Sequence, residues 1–374
     1  MHGILLLFTL LSSCSFIHTQ TNSSNTGTDA GAVTGTVSTL PPLYTYNNTD
    51  GQLKFTDTAI ESTLTSPNNT IYQNIVLLPD QSVTASLFPL EGINPYSQTL
   101  NSTQYIYSLF SVSNIGYNIF TLAGVNPYNP LSFYTFFNNI TGLEFESIAN
   151  YIAVPGTRTI ESLPYGDTFL ETTLINPRLV QLNGRPQVLH IHKSTDNTSR
   201  ILYDLPYNSE YYVNIVRSDI VSTDGLIHII DGFVPIPSTF HNTLIRESLY
   251  NIIQLLEFTN LLSTVDNYTS TTYFIPNNLG LSSTLQSLSQ VSQGSNSSIT
   301  SLQQQVSDIL KQHIIPDVYY STSLFNQTNV TTITNSTLSI TTSNGTVYVG
   351  KAQVLYSDLL TSNGVIHIVN TTVV

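Results

Sequence analysis

The C-terminal part of the chain begins with two segments in which apolar residues recur at helical spacing. The first is predicted to be a helix capped by Ser238 or Asn242, and its apolar face consists of Ile245, Leu249, Ile252, Ile253 and Leu256. The second predicted helix follows Ser298 and ends before Pro316, with an apolar face of Ile299, Leu302, Val306, Ile309, Leu310 and His313. A short extended segment, 271–275, lies between them and stops at Pro276.

After Pro316 the hydrophobic period changes to two. Residues 337–340 and 346–349 flank Asn344-Gly345, a dipeptide that favours a tight hairpin turn. Two further strands are predicted at 352–356 and 365–369. Helices followed by an antiparallel sheet indicate an α+β domain.

One sequence pattern occurs twice without a gap. Residues 218–231 match residues 357–370 position for position, so that Asp219, Gly225 and His228 correspond to Asp358, Gly364 and His367. The two histidines are 139 residues apart, which is the length of one domain. We therefore predict a tandem duplication, with a divergent first domain at 43–237 and a second domain at 238–374.

The first predicted domain is longer than the second. From Pro155 to His228 there are 73 residues, whereas from Pro316 to His367 there are 51. The extra 22 residues are predicted near 185–211, as a candidate for recognition specific to this domain. This segment ends in the tyrosine-rich stretch 203–212, and amphipathic rings of this kind favour interfaces and stacking on sugars.

Charged residues are scarce, at 9 % of the chain, where about 25 % is usual. The net charge of −13 and the lack of clustered cations disfavour nucleic-acid binding. Asn, Ser and Thr must supply much of the polar surface, and they form many Asn-x-Ser/Thr triplets that could carry N-glycans in a eukaryotic secretory pathway. These candidates are Asn22, Asn47, Asn68, Asn101, Asn139, Asn197, Asn267, Asn296, Asn326, Asn329, Asn335, Asn344 and Asn370.

The N-terminal residues have the pattern of a secretory leader. An apolar run at 4–11 precedes small residues, which predicts a signal peptide at 1–19, followed by a flexible Ser/Thr/Gly-rich linker at 20–42. The alternative is a bacterial lipoprotein box that would leave Cys14 lipidated at a new N-terminus. No later stretch approaches the 18 or so apolar residues of a membrane span, so no transmembrane segment is predicted.

These motifs resemble those of the fasciclin domain family. The two Gly-[Leu/Val]-Ile-His segments resemble the C-terminal motif of the family, residues 271–278 resemble an earlier strand motif, and residues 309–316 resemble its helix exit. That exit usually carries a Tyr-His pair; here His313 is present, but Gln312 replaces the tyrosine. The resemblance implies two α+β domains, each with helices followed by a sheet, in a secreted or surface-displayed glycoprotein that is not generally catalytic.

His228 and His367 alternate with apolar residues along their predicted strands. They are therefore interpreted as buried framework held by hydrogen bonds, with Asp219 and Asp358 fixing loops and Gly225 and Gly364 occupying turns that tolerate positive φ. A metal site is a weak alternative at His190 and His192, with Asp196 as a third ligand. No catalytic motif is found, and neither a cofactor nor a metal is predicted.

The predicted function is non-enzymatic: cell adhesion, or contact with extracellular matrix or cell wall, by a secreted or cell-surface glycoprotein. Its expected partners are extracellular or surface proteins and polysaccharides, with homophilic association included and nucleic acid excluded. Two alternatives stay open. One is a carbohydrate-active or metal-dependent hydrolase, which a concave pocket would favour if it gathered several of Glu144, Glu146, Asp167, Glu171, His190 and His192. The other is a vacuolar or endomembrane factor in membrane traffic.

Overall fold

A computed structural model describes residues 44–46, 53–55, 64–87, 104–122, 124–136, 145–204, 211–282, 299–343 and 345–374. The predicted leader with Cys14, the linker at 20–42, Glu144 and several candidate sequons lie outside these ranges. Those sequons are Asn22, Asn47, Asn101, Asn139, Asn296 and Asn344.

The chain divides into two compact units. The first contains Met1–Glu146, Gly156–Glu161 and Asn214–Phe233, and the second contains Ser147–Pro155, Ser162–Val213 and Val234–Val374. The second unit thus combines segments from both sides of residue 237, and the predicted boundary between domains at that residue stays a prediction.

The strands are, in chain order, β1 Tyr44–Tyr46, β2 Leu53–Phe55, β3 Tyr107–Val112, β4 Ala153–Pro155, β5 Gly166–Glu171, β6 Val188–Lys193, β7 Ser199–Asp204, β8 Tyr211–Ser222, β9 Gly225–Ile230, β10 Thr271–Pro276, β11 Ile314–Ile315, β12 Asn329–Thr331, β13 Thr337–Ser343, β14 Thr346–Val349, β15 Ala352–Thr361 and β16 Gly364–Val369. The α-helices are α1 Ile71–Leu77, α2 Ser82–Leu87, α3 Ile119–Leu122, α4 Pro130–Thr135, α5 Phe145–Tyr151, α6 Phe240–Arg246, α7 Tyr250–Phe258, α8 Leu262–Asp266, α9 Ile299–Lys311 and α10 Ser321–Leu324.

β1 pairs with β2, and the other strands form two seven-stranded sheets with the same arrangement. Their orders are β4-β3-β9-β8-β7-β6-β5 and β11-β10-β16-β15-β14-β13-β12. The α+β class is confirmed. Each sheet also has one parallel pair, β3 with β9 and β10 with β16, next to the antiparallel pairs β8–β9 and β15–β16. Parallel strands need a long connection, so hydrophobic periods within a short window do not reveal them.

Most of the predicted elements of the C-terminal part are confirmed. α9 covers most of the predicted second helix, β10 covers the extended segment, and the strands on either side of the predicted hairpin turn pair Ser343 with Thr346. The predicted first helix is wrong in one respect. It consists of two helices, α6 and α7, which are separated at Ser248 by a backbone φ of 56°. Thr239 caps α6 instead of Ser238 or Asn242, and its side chain accepts the N–H of Asn242.

The core of the second unit lies on both faces of the central strands. Helices α6, α7 and α9 pack against one face, with Phe240, Leu256 and Leu310 in contact with the cluster that includes Tyr273 and Ile366. The other face carries a second cluster consisting of Phe274, Ile315, Leu324, Val330, Leu338, Ile340, Val347, Val349, Ala352, Val369 and Val373. Since β10 and β16 are buried along their whole length, each apolar side chain there contributes about 1.5–3 kcal/mol to folding.

Much of the extra length of the first sheet lies upstream of the predicted position at 185–211. Sixteen residues connect β5 to β6, whereas five connect β12 to β13. The long connection is packed within the second unit: Gln187 Nε2 donates to the carbonyl of Thr361 at 3.0 Å, and the Gln181 N–H donates to that of Ser362 at 2.7 Å. Gln187 and Leu182 are buried, so this connection belongs to the packed interior of the unit.

Candidate functional site

His228 and His367 occupy equivalent buried positions in the two units. Nδ1 of His228 accepts the N–H of Asp219 at 3.1 Å, and its Nε2 donates to the carbonyl of Arg158 at 2.9 Å. In His367 the same atoms bond the N–H of Asp358 at 3.3 Å and the carbonyl of Tyr319 at 2.9 Å. Both nitrogens of each ring are therefore used within the protein, and neither ring is available to a ligand.

The surroundings of these two rings keep them neutral. Burial lowers the pKa of His228 to about 4, against a smaller opposing effect of Asp219, and burial likewise lowers the pKa of His367. Each ring also contacts a phenylalanine of the parallel strand, Phe110 at 4.8 Å and Phe274 at 5.6 Å between ring centroids.

Asp219 and Asp358 lie at bulges in β8 and β15, with backbone φ angles of 64° and 66°. Their carboxylates accept backbone N–H groups from distant segments, from Ile160 at 2.8 Å and from Ser321, the first residue of α10, at 2.7 Å. Each aspartate therefore ties a distant segment of its own unit to the bulged strand.

Gly225 and Gly364 are both needed for close strand approach, and of the two only Gly225 has the predicted positive φ. A Cβ on Gly225 would collide with the carbonyl oxygen of Tyr107, and one on Gly364 would collide with that of Thr271. The φ of Gly225 is +144°, whereas that of Gly364 lies outside the left-handed region. At Gly364 it is therefore lack of space next to the parallel strand that requires glycine.

His313 joins the end of α9 to the C-terminal segment. Its Nδ1 donates to the carbonyl of Ile309 at 2.8 Å, and its Nε2 accepts the N–H of Val373 at 3.1 Å. Burial lowers its pKa to about 4. Like His228 and His367, it is a neutral structural residue.

A different group of polar residues lies in an open cleft of the second unit. The cleft has a volume of about 260 Å³ and is lined by Asp167, His190, His192, Leu202, Tyr203, Leu355, Tyr356, Ser357, Asp358 and Leu359. One wall comes from the faces of β5, β6 and β7. The other comes from the bulge of β15, where the pairing register shifts between Tyr356 and Leu359. Bulges commonly direct side chains towards a site.

One oxygen of Asp167 is hydrogen-bonded to both imidazoles of β6. Nε2 of His190 lies 3.0 Å from Asp167 Oδ1, and Nδ1 of His192 lies 2.8 Å from the same atom. Burial alone would raise the pKa of Asp167, but the hydrogen bonds and charges of the two histidines outweigh it and lower the pKa. Asp167 is thus held as a carboxylate.

The two histidines differ in exposure. The side chain of His190 is 7 % exposed, whereas that of His192 is 39 % exposed. His190 stacks on Phe169 with ring centroids 4.5 Å apart, and Phe169 stacks on Tyr320 at 4.4 Å. The stack fixes His190, and His192 presents its outer edge to the cleft.

The predicted shared face of His190 and His192 is observed, but the third residue is different. Asp196 is exposed, and its Oδ1 accepts from the N–H and hydroxyl of Thr198 at 3.0 and 2.7 Å. Asp167 takes its place beside the histidines. Within the described ranges no group of three or more His, Cys, Asp or Glu is arranged to hold a metal ion.

The cleft gathers three of the six residues named for the hydrolase alternative, Asp167, His190 and His192. Glu146 and Glu171 are exposed elsewhere. Leu355 and Tyr356, which lie across the cleft, had no signal in the sequence, because their position follows from the pairing of β15.

Comparison with known proteins identifies the C-terminal part. The model of the fasciclin domain matches residues 247–374. These residues form a fasciclin domain. The domain runs from the end of α6 to the last residue, so it contains α7, the whole second sheet and the His367 framework.

Relatives and a solved structure are also similar to the chain. A fasciclin-like arabinogalactan protein of Cercospora beticola is 26 % identical over 221 residues, or 58 % of this chain and 56 % of that protein. One of Arthroderma benhamiae is 25 % identical over 224 residues, or 60 % of this chain and 49 % of that protein. The chain thus spans about half the length of these relatives. A FAS1 domain pair from the insect cell adhesion molecule Fasciclin I is 14 % identical with a TM-score of 0.32, covering 81 % of this chain and 95 % of that chain.

The candidate glycosylation sites of the described chain, inside and outside the fasciclin domain, are all exposed. They are Asn68, Asn197, Asn267, Asn326, Asn329, Asn335 and Asn370. In contrast, the buried asparagines Asn74, Asn277 and Asn363 belong to no Asn-x-Ser/Thr triplet.

As for the membrane, none of the helices in the described ranges combines the length and apolar character needed to cross it.

Proposed function

We propose that this protein is a non-enzymatic adhesion or wall-contact protein of the extracellular space, carried by the fasciclin domain at 247–374. The relatives named as fasciclin-like arabinogalactan proteins support this proposal. Its partners are surface proteins and wall or matrix polysaccharides, and homophilic association is included.

The surface chemistry supports the same function. Few charges and many exposed Asn-x-Ser/Thr triplets suit a hydrated, glycan-bearing surface. The matching order of strands in the two sheets supports a tandem duplication, which would present two related surfaces on one chain.

The test is affinity capture with the protein purified from a eukaryotic secretory host. Immobilised wall polysaccharides and isolated cell surfaces are expected to retain it, and a homophilic contact is expected to appear as concentration-dependent dimers. Retention by none of these, together with a monomer at all concentrations, would reject the proposal. Imaging of the tagged protein separates extracellular display from the vacuolar or endomembrane alternative.

The hydrolase remains the second candidate, because the cleft brings Asp167 next to two histidines. If it were correct, wall oligosaccharides would be cleaved by the protein, and Asp167→Asn would abolish the cleavage. We expect no turnover, since Asp167 Oδ1 is bonded to both imidazoles and the described residues offer no metal site.

A further inference from the structure

We propose that the cleft between β5–β7 and the bulge of β15 binds one residue of a neutral, hydroxyl-rich carbohydrate. This inference rests on the proposed function and gives the polysaccharide contact a place in the second unit. It comes from the polar groups that line the cleft, its aromatic and apolar wall, its size and its charge.

The polar groups match hydroxyls, which both donate and accept hydrogen bonds. Asp167 uses Oδ1 for both histidines, so its other oxygen is left to accept a sugar hydroxyl in a charge-assisted bond. The side chain of Asp167 is 34 % exposed, so a ligand can reach it. His192 bonds Asp167 through Nδ1, which turns Nε2 towards the open side.

The opposite wall offers a surface for the C–H face of a sugar ring. Leu355 and Tyr356 are exposed by 37 % and 39 %, so a ligand in the cleft can reach both side chains. The bulge of β15 places these consecutive residues together at the cleft. A tyrosine ring can stack on the apolar face of a sugar while its hydroxyl stays hydrated.

Size and charge narrow the choice of ligand. Pockets for drug-sized molecules measure about 300–1,000 Å³. The cleft, at about 260 Å³, suits a single sugar residue better than a longer segment. Anions are disfavoured because Asp167 and Asp358 line the cleft and none of its described lining residues is Lys or Arg. A metal ion is disfavoured because the described residues hold no group of three or more His, Cys, Asp or Glu arranged to bind one.

The binding test uses methyl glycosides of glucose, galactose, mannose and N-acetylglucosamine as probes for the full chain. Saturation-transfer NMR is expected to detect at least one of them, and a titration gives its Kd. Asp167→Asn should weaken this binding about tenfold, which corresponds to 1.4 kcal/mol. Tyr356→Ala should weaken it about fivefold, and because Tyr356 is exposed this variant keeps the fold.

Two controls match these changes outside the cleft. Asp196→Asn removes an exposed carboxylate, and Tyr250→Ala removes a tyrosine that is 54 % exposed. Both should bind the glycoside like the unaltered protein. The assignment is overturned if no glycoside gives a signal, if cleft and control variants weaken binding equally, or if lysine methyl ester binds more tightly than every glycoside.

Capture on wall polysaccharide separates this inference from the proposed function. If both cleft variants are captured as well as the unaltered protein, the cleft assignment fails and the proposed function stands. If the unaltered protein is captured by neither polysaccharides nor surfaces and stays monomeric at all concentrations, the proposed function itself fails.

Discussion

At the scale of single residues, three of the buried histidines hold backbone groups of the protein in place. His228, His313 and His367 each satisfy two backbone groups that belong to different elements, with both ring nitrogens in use. A buried backbone group without a hydrogen bond lowers the free energy of unfolding by about 1–3 kcal/mol. The rings therefore stabilise the fold by satisfying the backbone groups that they bond.

His367→Ala is expected to destabilise the fasciclin domain by about 3 kcal/mol, because it opens a cavity and leaves the Asp358 N–H and the Tyr319 carbonyl unpaired. The melting temperature should fall by about 10 °C, as measured by circular dichroism. His241→Ala is the matched control, since His241 is only partly buried and should change stability by about 0.5 kcal/mol. Equal melting curves for both variants would contradict the framework role.

The same burial makes stability depend on pH. In the folded state the pKa of His228 and of His313 is lowered to about 4, below the ordinary value of 6.5. Between these values the unfolded chain binds protons that the folded protein does not, so stability is complete above pH 6.5 and decreases as the pH falls to 4. The full loss is about 3 kcal/mol for each histidine.

Urea unfolding at about pH 7.0, 5.5 and 4.5 measures this loss. The first value lies above the range between the two pKa values, and the other two lie within it. Asp224 acts in the opposite direction, because burial raises its pKa. For this reason His313→Gln is compared with the unaltered protein at each pH, and its stability should vary less with pH. An identical pH dependence in the two proteins would show that His313 is not responsible.

At the scale of elements, the close approach of the parallel strands β10 and β16 requires a residue without a side chain at Gly364. Gly364→Ala would place a Cβ against the Thr271 carbonyl oxygen and force β16 away from β10, at a cost of about 3 kcal/mol. Gly345→Ala is the control: its Cβ meets nothing within 4 Å and only the φ of 77° is strained, which costs about 1 kcal/mol. Equal losses in thermal unfolding would mean that backbone φ, and not space, requires Gly364.

Sequence reasoning succeeded for elements whose signals are local. The Asn-Gly dipeptide in the sequence predicts the hairpin of β13 with β14, and the apolar period of 299–313 predicts α9. It missed the break at Ser248, where the N–H groups of Ser248 and Leu249 bond back to α6 and end it. It also failed where distant segments decide, because the link from β5 to β6 is ordered by bonds to Thr361 and Ser362.

At the candidate site, too, the sequence predicts what depends on local spacing and misses what depends on distant strands. The i, i+2 spacing of His190 and His192 in a strand predicts a shared face, which is correct. The partner, Asp167, lies on the neighbouring strand, where the register pairs it with His192. Register depends on the whole sheet, so the nearby Asp196 was chosen in its place. The wall formed by Leu355 and Tyr356 needs the bulge of β15, which no local pattern revealed.

At the scale of the whole molecule, the described asparagines include buried ones that bond within the protein and exposed ones that could carry glycans. Buried Asn363 donates to the backbone carbonyl of Tyr268 at 2.9 Å and to the hydroxyl of Tyr273 at 2.9 Å, whereas every described asparagine in an Asn-x-Ser/Thr triplet is exposed. Exposure makes these asparagines accessible to a glycosylating enzyme. With charged residues at 9 %, glycans would supply hydration that ionic side chains do not.

Treatment of the natively expressed protein with peptide N-glycosidase is therefore expected to lower its mass by several glycans, as measured by mass spectrometry. Asn197→Gln and Asn267→Gln should each remove one glycan, because both asparagines are exposed in turns. Asn277→Gln is the control and should leave the glycan mass unchanged, because Asn277 is buried and outside any triplet. A mass unaffected by the enzyme would favour the lipoprotein alternative at Cys14. It would also leave the low charge of the surface without a compensating source of hydration.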